Sequence, residues 1–510
     1  MKINSSIILF YFFLSGCGGQ SFDILRFGAV GDGKTVNTVA IQKAIDACFE
    51  NGGGTVIVPR GVFIMGTVYL KSNIHLYLES GAVLRGSPNL EDYAPFNHVH
   101  YGMFYTENSE NISITGFGQI DANGDHFFEL DKAKSIPSEI KKFTRQGENY
   151  RNVKDGGIGD GPVVPKDRPY QTLIFRNCKR VTLRDIFISS APMWTILFAD
   201  CDGVNVDGIR LWTNMLAPNA DGIDLASCNN VIISNCDIRS GDDAIIIAGY
   251  DHHFELPGFS GLRHESQNFV ITNCHLQSYS SAIRIGSLDQ NSFRNVIISN
   301  TTITNSTRGI GIFLRDEGSF ENINVSNVVI ETRLRTGDWW GNAEPIHISA
   351  IRGKDSVEMG SMQNINFDNI ICKGENGILV YGTEESKIRS VSFRNVTFEL
   401  TDSDLNDVAG GNIDLRNCLG EKQIFARDIP GFYAQHIDGL DIENFSLTWT
   451  GTQMPYFTHG IEVNNFRNLR IRHFEGTGSP INPAAYPVWL ENGENADIEF
   501  NIRAKKINIH

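Results

Sequence analysis

The feature that most restricts how this chain can fold is a series of short, similar strands that recurs from about residue 111 onward. NISITGFGQI, RVTLRDIFI, GVNVDGIRL, NVIISNCDI, FVITNCHL, NVIISNTTI, INVSNVVI, INFDNIIC, VSFRNVTF and GLDIENFSL are rich in Val and Ile and alternate apolar with polar residues. Alternation with a period of two marks half-buried strands. Most of these runs return after roughly 23 to 28 residues, a spacing that belongs to solenoids. An Asn follows the first strand of each unit, at Asn235, Asn273, Asn300, Asn327, Asn369, Asn395 and Asn444. Asn tolerates the left-handed backbone of a tight bend, and stacked Asn side chains can hydrogen-bond as a ladder. One short strand, an Asn corner, a second strand and a wider turn describe one coil of a parallel β-helix. Its right hand follows from the crossover preference of parallel strands. Leucine-rich repeats are excluded because their Leu spacing is absent. The predicted class is all-β.

A solenoid must cover its bare end rung. Asn37-Thr38 opens a helical run, Val39 to Glu50, that places Ala40, Ile41, Ala44, Ile45 and Cys48 on one face, so an N-terminal capping helix is expected. GGGTVIVPRGVFIMG and NIHLYLESGAVLRG then read as the first coils. After about Gln453 the strand pattern persists in NLRIRHF and ADIEFNI but is less regular. Residues 21–510 are therefore read as a single domain. Residues 1–20 are set apart as a targeting segment: Lys2 precedes an apolar run from Ile7 to Leu14 that is too short to span a bilayer. It ends in Leu14-Ser15-Gly16-Cys17, which resembles the lipobox of a bacterial lipoprotein and implies that Cys17 is lipidated. The expected location is outside the cytoplasm, periplasmic or at the cell surface, with membrane contact only through that lipid. Cys178, Cys201 and Cys228 share one column of the repeat, and Cys236 and Cys274 another. They are expected as free thiols in the core, because a chain of 510 residues has no need of staples.

The formal net charge of −15 excludes nucleic acid as the main partner, since phosphate binding wants a basic surface. Three stretches interrupt the repeat: Gly124 to Tyr170, Tyr250 to Gln267, and Arg333 to His347. Long loops on a rigid stack commonly carry binding residues. The third contains Trp339 and Trp340, whose faces are natural platforms for sugar rings, and ends at His347, within reach of a cleft. Asp251-His252-His253 lies in the second, but no metal-ligand spacing is evident and no cofactor is expected.

The chemistry concentrates in NADGIDLASCNNVIISNCDIRSGDD, Asn219 to Asp243, which carries Asp221, Asp224, Asp242 and Asp243. Any single Asp-Gly reads first as a turn. Asp221 and the Asp242–Asp243 pair, however, stand one repeat apart, and stacked strands lie about 4.8 Å apart. Carboxylates that close push one another's pKa values apart, so one can hold a proton while another is ionised. An acid and a base on one face are what glycoside hydrolysis requires.

With these residues the chain resembles glycoside hydrolase family 28, the polygalacturonase and rhamnogalacturonase family of parallel β-helices. GAVGDGKTVNTVAIQKAI resembles the family's N-terminal segment, Asn219-Ala220-Asp221-Gly222-Ile223-Asp224 its Asn-Thr-Asp-Gly-x-Asp, and Ser240-Gly241-Asp242-Asp243 its Gly-Asp-Asp. The resemblance implies Asp242 as general acid, Asp221 and Asp243 as the pair that activates water, Asn219 and Asp224 beside the substrate, and inversion at the anomeric centre. Two departures stand out. Ser281 occupies the position of the family's Gly-His-Gly histidine, and Gly311-Ile312-Phe313 that of its Arg-Ile-Lys. Strand alternation turns Arg284 and Arg315 toward the cleft, so positive charge is expected to come from these two. The substrate implied is a pectic or related glycan, polymeric or oligomeric, cleaved by a monomer. A β-helix polysaccharide lyase using bound calcium and a non-catalytic glycan-binding β-helix remain as alternatives.

Overall fold

The structure, a computed structural model, describes residues 21–249, 266–287 and 292–510. Cys17 and Asp251-His252-His253 lie outside the described residues. The chain winds into a right-handed parallel β-helix whose strands pair in register with the coil before and after. One face is built by Phe104–Glu107, Leu173–Arg176, Ile196–Ala199, Ile223–Ala226, Ile245–Ala248, Ser281–Gly286, Arg308–Leu314, Ile346–Ala350 and Ile378–Tyr381. Its inward positions stack like on like: Ile196, Ile223, Ile245, Ile283, Ile310 and Ile346 form one column and are fully buried. Each such side chain contributes about 1.5–3 kcal/mol by leaving water. The column is what holds the outward residues between these isoleucines at fixed heights.

The helix Thr38–Glu50 covers the first coil with Ile41, Ala44, Ile45 and Cys48 buried. Asn37 caps it differently from a usual N-cap. Its side chain makes no cap bond and instead ties Val30 and Thr35 together. The corner asparagines adopt the expected left-handed backbone, with φ of 55° at Asn327 and 56° at Asn369. Several of these amides donate to the Asn below, as Asn369 to Asn327 (2.7 Å) and Asn327 to Asn300 (3.2 Å), whereas Asn235 and Asn395 donate to Asp207 and Asp368. A second ladder, not anticipated from the repeat, runs through Asn230, Asn268, Asn295, Asn322 and Asn364 at the start of the same strands. The eight described cysteines are buried free thiols, and Cys201 and Cys228 hydrogen-bond to the carbonyls of Phe175 and Phe198 on the preceding coil.

The loop from Gly124 forms an antiparallel pair, Phe128–Ala133 with Val163–Pro165, and meets the loop from Arg333. A further excursion, unrecognised in the sequence, leaves the stack after Ile388–Thr401. It forms the antiparallel pair Asn412–Asp414 with Ile424–Ala426. It lies over the outer side of the face described above, and this placement changes the fate of several expected site residues.

Candidate active site

Asp221 sits in the turn entering Ile223–Ala226, and Asp243 in the turn entering Ile245–Ala248. The two strands pair Ile223 with Ile245, which sets the aspartates one above the other. Backbone bonds fix this height: Gly222 N–H donates to the Asp243 carbonyl (2.9 Å), and Thr195 N–H to the Asp221 carbonyl (2.9 Å). Both motif glycines are required by close approach. A Cβ on Gly222 would lie 2.3 Å from the Ala244 carbonyl oxygen, and one on Gly241 would lie 2.4 Å from that of Ala217. The Asp-Gly segments are therefore tight turns that also aim the carboxyls, and the two readings of them coexist.

Oxygens of Asp221, Asp242 and Asp243 all lie within 4.8 Å of one another. Each carboxyl has its own surroundings. Asp243 accepts from Ser281 N–H (2.7 Å) and forms an ion pair with Arg284 (2.7 Å). Asp242 accepts from Asn219 N–H (3.1 Å) and from its neighbour's N–H (3.0 Å), and its carbonyl is held by Ser240 and Ser278. Asp221 Oδ1 is buried without a hydrogen-bond partner among the described residues. Burial, reinforced by the charges of Asp242, Asp224 and Asp243, pushes Asp221 well above the usual carboxylate range. Burial and then Asp243 push Asp242 up to about 6. Asp221 and Asp242 stand close enough that ionising one opposes ionising the other. Asp242 is the most accessible of the three, 5 % exposed against 3 % for Asp221 and 0 % for Asp243.

Asp224 faces outward two residues along from Gly222, between Leu197 and Ile246 of the adjoining coils. It is fully buried, and neither carboxyl oxygen has a hydrogen-bond partner among the described residues. Burial drives its pKa well above the usual range, and its place inside the wall keeps it from facing substrate. Asn219 is exposed beside Asp242, with its side-chain oxygen accepting from Arg168 (3.3 Å). Arg284 stands in the same column as Asp224, two coils on, as alternation predicted, and reaches Asp243.

Three expected binding residues are corrected. Arg315 does not enter the cleft. It is buried and donates to Ser349 Oγ (2.9 Å) and to the carbonyls of Leu314, Ser349 and Leu415. It does face outward, but the unrecognised excursion covers it there. His347 also faces outward, in register with Gly311, and is sealed in. Its ring nitrogens meet Glu344 (2.8 Å) and Ser349 (2.9 Å), and burial lowers its pKa to about 4, so it is neutral and away from the cleft. Trp339 is buried edge-on to Tyr279 with its indole N–H on the Asp160 carbonyl (3.3 Å), pinning the first loop to the third, and offers no platform. Trp340 stays partly exposed under the Arg416 guanidinium (4.6 Å).

Sequence reasoning missed Arg308 and Arg416. Arg308 lies one coil beyond Ser281 in the column of the aspartates, reaches Ser281 Oγ (3.3 Å) and is paired with buried Glu344 (2.8 Å). Burial opposes the charge on Glu344, but Arg308 and His347 outweigh it and bring its pKa down to about 2. Counting forward from Asp243 along the column would have found Arg308. Arg416 comes from the excursion and is held by Asp414 (2.8 Å) and Asp338 (3.2 Å). With Asn417, Ser287, Phe313 and Trp340 these arginines line a small hollow against Asp243. An open groove of about 590 Å³ lies on a different face, and its carboxylate Asp441 is taken by Arg394 and Arg470.

The profile of Glycosyl hydrolases family 28 matches residues 48–334, more than half of the chain. An exo-poly-alpha-D-galacturonosidase of Dickeya chrysanthemi is 29% identical over 294 residues, covering 52% of this chain and 47% of that protein. A probable polygalacturonase of Vitis vinifera is 25% identical over 280 residues, covering 53% and 52%. The chain thus spans about half the length of the curated relatives it matches. Among solved structures, the family 28 exopolygalacturonase of Yersinia enterocolitica superposes with a TM-score of 0.60 at 17% identity, covering 95% of this chain and 79% of that one. The exopolygalacturonase of Thermotoga maritima gives 0.53 at 23%, covering 75% and 87%. The fold, the stacked aspartates and the profile agree that the chain belongs to glycosyl hydrolase family 28.

Proposed function

We propose that this protein hydrolyses a glycosidic bond of a pectic or related acidic glycan with Asp242 as general acid and Asp221 and Asp243 as the residues that hold and deprotonate water. The observation that carries the reading is one packed group of carboxyls with three different sets of partners. Asp242, near 6 and the most accessible, is poised to give a proton at working pH. Asp221 has an oxygen free to accept from water. Asp243, fixed by Arg284 and Ser281 N–H, aligns that water.

Inversion is the stereochemistry we favour. Carboxyls about 6.5–9.5 Å apart usually accompany inversion and about 5–5.5 Å retention, and the nearest oxygens here are closer than either. The partners of each carboxyl support it. Retention needs a carboxylate aimed at carbon, whereas Asp242 is held by two N–H groups, Asp243 by Ser281 N–H and Arg284, and the oxygen that Asp221 leaves unpartnered suits a water. The Arg284 guanidinium on Asp243 counts against the calcium-dependent lyase, because it sets a positive charge beside any cation the aspartates would hold. Arg284, Trp340 and Asn219 remain as contacts to the sugars. Closure of the far side of the face by the 402–431 excursion, with Trp340 and Arg416 as its wall, fits release of small products from a chain end. Proton NMR of the first product formed from oligogalacturonides tests the reading: the opposite anomer appears under inversion, and an unsaturated product or retained anomer would overturn it. Lipidation at Cys17, action as a monomer and a single domain over residues 21–510 complete the proposal. Labelling with a tagged fatty acid and sedimentation test the first two.

A further inference from the structure

Arg168 presents an unusual situation for a charged side chain. It is half-buried, against the ring of Phe128 at 5.3 Å. Its guanidinium donates to the carbonyls of Pro192 (2.7 Å) and Pro218 (3.0 Å) and to Asn219 Oδ1 (3.3 Å), all neutral acceptors. Among the described residues no carboxylate oxygen lies within 4.0 Å of it. The negative charges it feels are the more distant Asp221 and Asp242. Burial draws its pKa down to about 10, which leaves it charged at neutral pH. A half-buried guanidinium held only by neutral acceptors keeps its charge available to an anion that enters beside it.

The surroundings indicate where that anion sits. On one side Arg168 is linked through Asn219 to Asp242. On the other it borders a cavity of about 380 Å³ lined also by His98, His100, Lys166, Asp167 and Tyr170. That volume is within the roughly 300–1,000 Å³ of small-molecule sites. Lys166 donates to the His126 carbonyl (3.2 Å), another neutral acceptor, and Asp167 is the one carboxylate in the lining. The polar groups are mainly donors, and the Tyr170 ring supplies a face for a sugar.

We propose that this cavity is a saccharide subsite on the N-terminal side of the catalytic aspartates, and that Arg168 determines specificity there by pairing with an anionic substituent, a carboxylate or a sulfate, on a sugar that is not itself cleaved. The inference rests on the hydrolase reading for its place in the cleft, but its test does not. Arg168 stands on the opposite side of the aspartates from the hollow formed by Arg284, Arg308 and Arg416, so charge is read on both sides of the bond.

Binding is measured calorimetrically in the Asp242→Asn background, where no turnover interferes, with trigalacturonate, its methyl ester and a sulfated galactan trisaccharide as probes. Arg168→Gln is expected to weaken the anionic probe it recognises about 10- to 100-fold more than the methyl ester, the worth of one charge-assisted bond. Arg168→Lys, which keeps the charge and the fold but loses the planar fork, should fall between. Whichever of the carboxylate and sulfate probes shows the dependence names the substituent. Equal weakening of acid and ester, or no dependence for either anionic probe, overturns the proposal and leaves Arg168 as a support for Asn219. Arg168-dependent binding without hydrolysis by the wild type would instead overturn the catalytic reading and keep the subsite.

Discussion

Asp242→Asn removes a carboxyl whose pKa burial and Asp243 raise from 3.8 to about 6. Because the folded-state value is the higher one, the native protein holds a proton that the unfolded chain releases. The contribution of this group to stability is therefore complete below about pH 4 and is lost as pH rises through about 6. Two units at 1.36 kcal/mol each make the loss about 3 kcal/mol at pH 8. Asparagine carries no such penalty. It does lose one of the two N–H bonds that the carboxyl accepts from Asn219 and Asp243, at about 1 kcal/mol. The variant should then be about 1 kcal/mol less stable than the wild type at pH 4 and about 2 kcal/mol more stable at pH 8. Turnover should fall by about 10²- to 10⁴-fold at every pH, the usual worth of a positioned proton donor. Urea-unfolding midpoints of both proteins at pH 4, 6 and 8, with initial rates on oligogalacturonides, measure both effects. A stability difference that is the same at pH 4 and pH 8 would refute the electrostatic account, and retained turnover would refute the assignment of the acid.

Other perturbations separate structure from chemistry. Trp339→Ala should cost about 3–5 kcal/mol of stability, whereas Trp340→Ala should spare stability and raise KM; calorimetric melting and initial rates distinguish them. Glu344→Gln leaves Arg308 buried without its partner and should cost about 3–5 kcal/mol in urea unfolding, as broken buried pairs do. Asn327→Ala removes ladder bonds to Asn300 and from Asn369 and forces Ala into φ 55°, at about 2–3 kcal/mol, while Asn327→Gly should recover part of it; paired urea-unfolding curves measure the difference. Chelation by EDTA should leave activity unchanged, because Arg284 already sets a positive charge on Asp243; a loss restored by calcium would revive the lyase reading.

What the sequence made legible was whatever the coil repeats. Strand alternation, the Asn corners, the cap helix and the stacking of Asp221 on Asp243 all follow from periodicity, and Arg284 was correctly turned outward by the same rule. The failures came where chain leaves the stack. Arg315 and His347 do point outward, but periodicity says nothing of what lies over a face, and the 402–431 excursion has no repeat to betray it. Arg416 and Asn417 were missed for that reason. Trp339 and Trp340 are neighbours of one type in one loop. Only packing against Tyr279 and Asp160 separates the tryptophan that pins loops from the one that borders the hollow. Arg168 was invisible because its lack of a counter-ion is a fact about space.

The coil lengths have a consequence of their own. Asn219 and Asp242 are 23 positions apart, whereas Asp243 and Ser281 are 38 apart and Ser281 and Arg308 are 27 apart. Proteins of this architecture can acquire new segments by letting a turn bulge outward while the rungs above and below stay matched. The coil that spans the two halves of the acid–base apparatus has no slack of this kind. Variation should therefore accumulate around that winding and be nearly absent within it, and a scan that inserts single alanines along the chain should find its sharpest intolerance there.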